Sequence, residues 1–484
     1  MSHSDQFGDL RSLLQGQPNL ERWSALCAHV YQHGHALDQA HWVYLREHLK
    51  RWPLELCAMP QDWIDELFDE RGGPWLQICR QLCWDERDIE PDHVDELVYS
   101  PWLRHLESLS IARTRRPVWA RFNLTDEGAV ALTQSENFHE LRRLSLCGHH
   151  LRPDSVQRIV TGDRFPWLEH LDLSFNQLAF LRATADAPWT LPLLKSLTLR
   201  DVELTFAGLE QLSRQSERLP ALEALDLSAH AFDVEAITGP LRGFQWANLK
   251  ALTLSGWALG DSGALTLLAR LDPSLARLDL SYNGLSNVTL NALADGHVAL
   301  RRLDLSGNAL GGANLAALLS KLNHLEQLSC SNCLLDAAQA SQLWLSPTLM
   351  GLKRLDISSQ PIQTSELEAL LNEVERPELV ELKLSRMGLT DDGARALSRA
   401  PALSRLEVLD ISQNMISAQG LELLLGSEHL RGLTRLIADG NPLEMTQAQE
   451  LISRHARLHY NLQDARYALP DLGDEPWDED HAWE

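Results

Sequence analysis

The segment Leu300-Arg-Arg-Leu-Asp-Leu-Ser-Gly-Asn-Ala-Leu310 limits the possible folds of this chain more than any other stretch. Its spacing of Leu300, Leu303, Leu305, Asn308 and Leu310 recurs from Leu106 to Leu443 at intervals of about 27 residues. The alternation at Leu303 and Leu305 predicts a short strand with both leucines pointing inward. Asn308 follows where the chain must turn, and its amide can pair backbone groups that would otherwise be buried alone. One such unit cannot bury its own apolar face, so the units must stack.

The first leucines of successive units fall at Leu141, Leu168, Leu194, Leu222, Leu249, Leu275, Leu300, Leu325, Leu352, Leu379, Leu406 and Leu433. They define twelve units of 25 to 28 residues after a divergent one at Leu106. A second pattern lies behind several strands, as in Leu124-Thr-Asp-Glu-Gly-Ala-Val-Ala-Leu132, Leu259-Gly-Asp-Ser-Gly-Ala-Leu-Thr-Leu267 and Leu389-Thr-Asp-Asp-Gly-Ala-Arg-Ala-Leu397. Thr or Asp is expected to cap a helix whose alanines and leucines pack on the strands. The strand pattern is the leucine-rich repeat signature. The helical pattern resembles the ribonuclease-inhibitor and Ran-GAP class of these repeats. That resemblance covers about 340 residues and implies an α/β solenoid, a horseshoe with parallel strands concave and helices convex. Function is a separate matter, because repeats of this kind serve many partners.

Residues 1–100 hold six of the fifteen tryptophans and read as a separate all-helical module. Four apolar sets have helical spacing: Leu10, Leu13, Leu14; Trp23, Leu26, Cys27, Val30; Trp42, Leu45, Leu49; and Ile64, Leu67, Phe68, which stops at Arg71-Gly-Gly-Pro74. Trp75, Ile78, Cys79, Leu82 and Cys83 predict a fifth helix. The stretch 62–73 resembles the "DWLEERGD" motif of a companion domain that precedes leucine-rich repeats in some bacterial proteins. That resemblance implies a bacterial origin. The expected organisation is a helical module at 1–100, repeats at 101–443, a capping helix within 444–468 and a disordered acidic tail at 469–484.

Charge and cysteine usage narrow the function. Residues 1–100 carry 18 acidic and 8 basic side chains and residues 461–484 carry 8 and 1, so the ends account for most of the net charge of -24. This balance argues against nucleic acid, whose binding needs a basic footprint, and favours protein partners, basic ones among them. No run reaches the roughly 18 apolar residues of a membrane span. The opening Met1-Ser-His-Ser-Asp5 lacks the pattern of a cleavable leader. Seven irregularly spaced cysteines do not form a disulfide framework, so the expected location is a reducing cytoplasm. Cys27, His29, His33, His35 and Cys57 are possible zinc ligands by type, but their spacing fits no standard ligand pair, and no metal or other cofactor is expected. Cys330-Ser-Asn-Cys333 has C-x-x-C spacing, yet it falls on the inward leucine and asparagine positions of its repeat, which marks it as core.

Side chains two apart on a strand share a face. The fifth repeat position gives Asp172, Asp226, Asp279, Asp304, Asp356 and Asp410; the third gives Arg143, Arg277, Arg302, Arg354 and Arg435. The plain expectation is a self-neutralising charge ladder, and the sharper one is a docking surface. Phe175, Tyr282 and Arg386, just past their strands, add the anchor types that interfaces prefer. The interval from Leu106 to Leu141 is eight residues longer than usual and carries Arg113, Arg115, Arg116 and Arg121 around Trp119, a basic insertion suited either to a junction loop or to binding. Residues 179–190 lose the helical pattern and read as an irregular unit. No catalytic motif emerges. The expected function is non-enzymatic: a bacterial cytoplasmic scaffold or inhibitor that holds a protein on its concave face. Alternatives are a regulator of a GTPase or nuclease and, less favoured, a secreted effector.

Overall fold

A computed structural model describes residues 3–113, 123–161, 164–177, 189–230, 248–296, 299–311, 321–346, 350–360, 364–373 and 378–462. Arg115, Arg116, Trp119 and Arg121 of the basic insertion, residues 178–188 of the irregular unit and the acidic tail lie outside them. The chain forms two units, Met1–Trp257 with Arg270–Asp272, and Ala258–Ala269 with Pro273–Glu484. No helix among the described residues is long and apolar enough to cross a membrane.

The first unit opens with helices α1 (His3–Leu14), α2 (Leu20–His33), α3 (Gln39–Leu49) and α4 (Gln61–Phe68). These follow four of the predicted apolar sets, and Leu10, Leu26, Leu45 and Leu67 are fully buried. Asn19 and Asp38 cap α2 and α3 by accepting from Arg22 N–H and His41 N–H, the usual device for the unpaired amides of a first turn. The predicted fifth helix is not there. Pro74–Ile78 is a single 3₁₀ turn and Gln81–Cys83 is strand β1; the next helix is α5 (Pro91–Tyr99). Cys79, Leu82 and Trp84 occupy the places that leucine or isoleucine holds in the following repeat, since Gln81 pairs in register with Ser108. A repeat written with cysteine and tryptophan imitates helical spacing, and the all-helical reading of 1–100 fails there. The edge of β1 is covered from within the chain. Met59 N–H donates to Gln81 O at 2.8 Å and Arg80 N–H to Cys57 O at 3.0 Å, which pairs backbone groups that an open edge would expose.

From β1 the unit continues through β2 (Ser108–Ser110), β3 (Arg143–Ser145), β4 (His170–Asp172), β5 (Ser196–Thr198), β6 (Ala224–Asp226) and β7 (Ala251–Thr253), each parallel to the next. The second unit holds β8 (Arg277–Asp279), β9 (Arg302–Asp304), β10 (Gln327–Ser329), β11 (Arg354–Asp356), β12 (Glu381–Lys383), β13 (Val408–Asp410), β14 (Arg435–Ile437) and β15 (Leu458–His459), again parallel and in order. The expected capping helix is Met445–Arg454, and the short strand β15 follows it. Every strand from β1 to β14 has one inward central residue, such as Leu278, Leu303 or Leu355, at 4 % exposure or less. Burial of each stabilises by roughly 2 kcal/mol.

The Thr-Asp and Gly-Asp motifs do more than cap. Of the three, only Thr125 accepts from its own helix, at Gly128 N–H. The aspartates reach forward to the next repeat: Asp126 takes Arg152 N–H and the Ser155 hydroxyl, Asp261 takes Ser286 N–H and the Ser286 and Thr289 hydroxyls, and Asp391 takes Ser417 N–H and hydroxyl. Burial would raise the pKa of Asp261, but the Ser286 and Thr289 bonds outweigh it and hold the carboxyl below its ordinary value.

Candidate protein interface

Each repeat resolves into columns with separate duties. The inner turn carries the ladder. Asn308 donates to Leu280 O at 3.0 Å in the preceding repeat and to its own Leu305 O at 2.8 Å, while its carbonyl accepts from Asn283 N–H and Leu285 N–H. Asn176 and Asn414 repeat the pattern. Cys333 takes the same place with its thiol on Leu305 O, which makes the C-x-x-C pair part of the ladder. Cys330 is fully buried beside it. The sequence reading missed four other members. His149 reaches Ile111 O, His230 reaches Leu199 O, Trp257 reaches Leu227 O and Gln360 reaches Cys330 O. Their signal was position, three residues after the second inward leucine or isoleucine, rather than residue type. Leu124 N–H donates to His149 Nδ1, so the ring is neutral with its proton on Nε2. Burial pushes its pKa down to about 4.

The residue before the ladder position is left-handed throughout: Phe175, Asp201, Ala229, Tyr282, Asn332, Ser359, Arg386 and Gln413 all have φ between 50° and 64°. A bulky side chain is uncommon there, and Tyr282 illustrates how one is accommodated. Its ring lies over Gly307, where a Cβ would collide with it, and the side chain stays 57 % exposed. Phe175 is half-buried, with the Arg200 guanidinium 5.8 Å from its ring centroid. Arg386 is exposed.

On the strand face, the expected neutralisation of arginine by aspartate in the same strand does not occur. The fifth-position carboxylates turn to the serine two residues on: Asp172 to Ser174, Asp226 to Ser228, Asp279 to Ser281, Asp304 to Ser306, Asp356 to Ser358 and Asp410 to Ser412, each accepting the serine N–H at 2.9 to 3.0 Å. They close the turn after the strand, as a short acidic side chain readily does. The third-position arginines are thereby left to other partners. Arg143 pairs with Glu55 of the N-terminal segment at 2.8 Å. Arg354 pairs with Glu381 at 3.3 Å. Arg277, Arg302 and Arg435 make no ion pair with any described residue, and all three are exposed. Arg113 is withdrawn from the basic insertion, being buried against Asp88 and Asn123.

A further column was not foreseen. The residue after each first leucine alternates in sign through the first unit: Arg80, Glu107, Arg142, Glu169, Lys195, Glu223, Lys250. Glu107 bridges Arg80 and Arg142 at 2.7 and 3.4 Å, and Glu169 bridges Arg142 and Lys195 at 2.5 and 2.6 Å. The Lys195 hydrogen bond holds the Glu169 carboxyl below its ordinary pKa, with Arg142 adding to it against the opposing effect of burial. Reading the second repeat position as a column would have disclosed this ladder.

The five cysteines and histidines of zinc-ligand type do not assemble. Cys27 and Cys57 are buried in the helical core with Cys79, and burial raises all three thiols, Cys57 to about 11. The His29 and His33 rings lie 4.9 Å apart, tilted by 57°, while exposed His35 lies edge-on to Trp75. Among the described residues no group of three histidine, cysteine or carboxylate side chains could hold a metal ion. Cys83 does not share a helical face with Cys79; it sits on the outward side of β1 with its thiol toward Asp85.

Residues 166–179 match the family described as Leucine Rich repeat. The strand, ladder and helix columns that recur in both units give the described residues the leucine-rich repeat fold. Solved structures similar to it include the yeast Rad7 and Elc1 complex (18 % identity, 69 % of this chain and 81 % of that one, TM-score 0.46). A leucine-rich repeat protein of Leptospira interrogans is similar at 18 % identity over 80 % and 91 % of the two chains, with a TM-score of 0.38. An internalin of Listeria monocytogenes is similar at 16 % identity over 69 % and 93 %, with a TM-score of 0.37.

Proposed function

We propose that this chain is a non-enzymatic protein-interaction module, a cytoplasmic scaffold or inhibitor, whose partner docks on the strand face of the second unit. The observation that carries the reading is the exposure of the Arg277 and Arg302 side chains with no ion pair among the described residues, beside columns whose aspartates and asparagines are bonded within the fold. Arg354 and the exposed ring of Tyr282 extend the surface, and arginine and tyrosine are the residue types that concentrate binding energy. Phe175, Arg386 and Arg435 would contribute at its margins. Arg143, tied to Glu55, belongs to the fold's own contacts rather than to this face.

Affinity capture from the native lysate with the intact chain, followed by identification of the retained proteins, tests the proposal. Replacing Arg277, Arg302 and Arg354 together by glutamate should remove the specific partner while the circular dichroism and unfolding midpoint stay near wild type, since exposed strand positions contribute little to stability. Undiminished capture by the folded triple variant would refute it.

A further inference from the structure

Arg277 and Arg302 stand directly opposite one another on adjacent strands, in register. Strands lie about 4.8 Å apart, and like charges facing each other at that spacing oppose the fold. The chain has 67 acidic against 43 basic side chains from which to draw a neutralising partner. Neither arginine has taken one from the described residues: the nearest carboxylates along their own strands, Asp279 and Asp304, accept from the Ser281 and Ser306 amides, and both are half-buried while the arginines are exposed. An approaching group therefore meets the two guanidinium groups before it meets the carboxylates. A carboxylate placed between them would receive charge-assisted hydrogen bonds from both, and such bonds are about twice as strong as neutral ones. Beyond Gln327, Arg354 lies two strand spacings from Arg302, about 10 Å, which an extended chain covers in about three residues.

We propose that Arg277 and Arg302 form a carboxylate clamp for an extended acidic segment of a partner protein, with Arg354 receiving a second carboxylate three residues along that segment. This rests on the docking face proposed above and assigns its chemistry. A basic segment would meet guanidinium groups first and is disfavoured at this spot. The net charge of -24 repels an acidic partner at a distance, but at physiological salt that repulsion is screened beyond about 8 Å, and the local pair governs the bound state.

Fluorescence anisotropy of the full chain with labelled Gly-Ser peptides tests the clamp, using one peptide with two glutamates three residues apart and matched peptides with glutamine or lysine in their place. The glutamate peptide should bind more tightly than both others, and more weakly as salt rises. The Arg277→Gln/Arg302→Gln variant should lose at least tenfold in affinity for it with no drop in its unfolding midpoint, whereas Arg399→Gln, an exposed arginine at the end of the helix Asp391–Ser398, should bind as wild type does. Equal binding of glutamate and glutamine peptides, or undiminished binding by the double variant, overturns the clamp. If the glutamate variant at Arg277, Arg302 and Arg354 still loses its captured partner in that event, the acidic class alone is wrong. If capture also persists, the docking face falls with it.

Discussion

The two units build the same repeat and use their charges differently. In the first, the second-position column forms ion pairs from Arg80 to Lys195, Arg143 is tied to Glu55, and the rest of the third-position column from β2 onward holds Ser108, His170, Ser196, Ala224 and Ala251. In the second, Arg301, Glu326 and Lys353 form a short segment of that column, which stops where Val380 stands. The unengaged arginines lie there instead, on the strand face. The inner ladders differ in part: His149, His230 and Trp257 serve beside Asn176 in the first unit, and Asn283, Asn308, Asn414 and Asn441 serve beside Cys333 and Gln360 in the second. A repeat scaffold fixes which positions are inward and which pair, and leaves the outward columns open to be spent on the stack itself or on a partner.

The largest test of this contrast is the ladder. Asn308→Ala removes three donations and two acceptances in a buried turn, and with unsatisfied buried groups costing about 1–3 kcal/mol each, a loss of about 4 kcal/mol is expected in the second unit. A urea titration resolving the two units should show the drop there and little change in the first. Next comes pH. The folded-state pKa of His149 is lowered from 6.5 to about 4 by burial, so between those values the unfolded chain holds a proton that the folded chain lacks. Its contribution is therefore complete above pH 6.5 and is lost as pH falls toward 4, by roughly 3 kcal/mol in all. The burial-lowered pKa of His230 adds a loss of the same sign. His149→Asn should flatten the decline between pH 6.5 and 4 in the first unit; a profile identical to wild type would break the comparison.

Smaller effects separate the charge columns. Glu169→Gln should cost about 1 kcal/mol at low salt and less at high salt, as a networked surface pair does. Glu407→Gln, flanked in its column by Val380 and Thr434, should change stability by no more than about 0.5 kcal/mol. Least of all, Arg302→Gln should leave the unfolding midpoint of the second unit unchanged or slightly raised, because it relieves the facing pair with Arg277.

Periodicity made the stack legible because leucine at fixed intervals has few other meanings. It misled at 75–83, where Cys79, Leu82 and Trp84 fill leucine-type positions and alternate spacings of three and four mimic a helix. The ladder was legible wherever asparagine carried it and hidden where His149, His230, Trp257 or Gln360 did, since what the turn demands is a donor reaching a carbonyl, and several side chains supply one. The arginine column was visible, but its freedom was not. Only the serine bonds of Asp279 and Asp304 show that the neighbouring carboxylates are already taken.

The ladder also has a direction. Asn176, Asn308 and Asn414 each donate to a carbonyl of the preceding repeat, Leu146, Leu280 and Leu384 respectively. A newly made repeat thus presents an acceptor that its successor will fill. Because chains are synthesised from the N-terminus and fold in that order, the stack can close as it leaves the ribosome, each unit finished by the next.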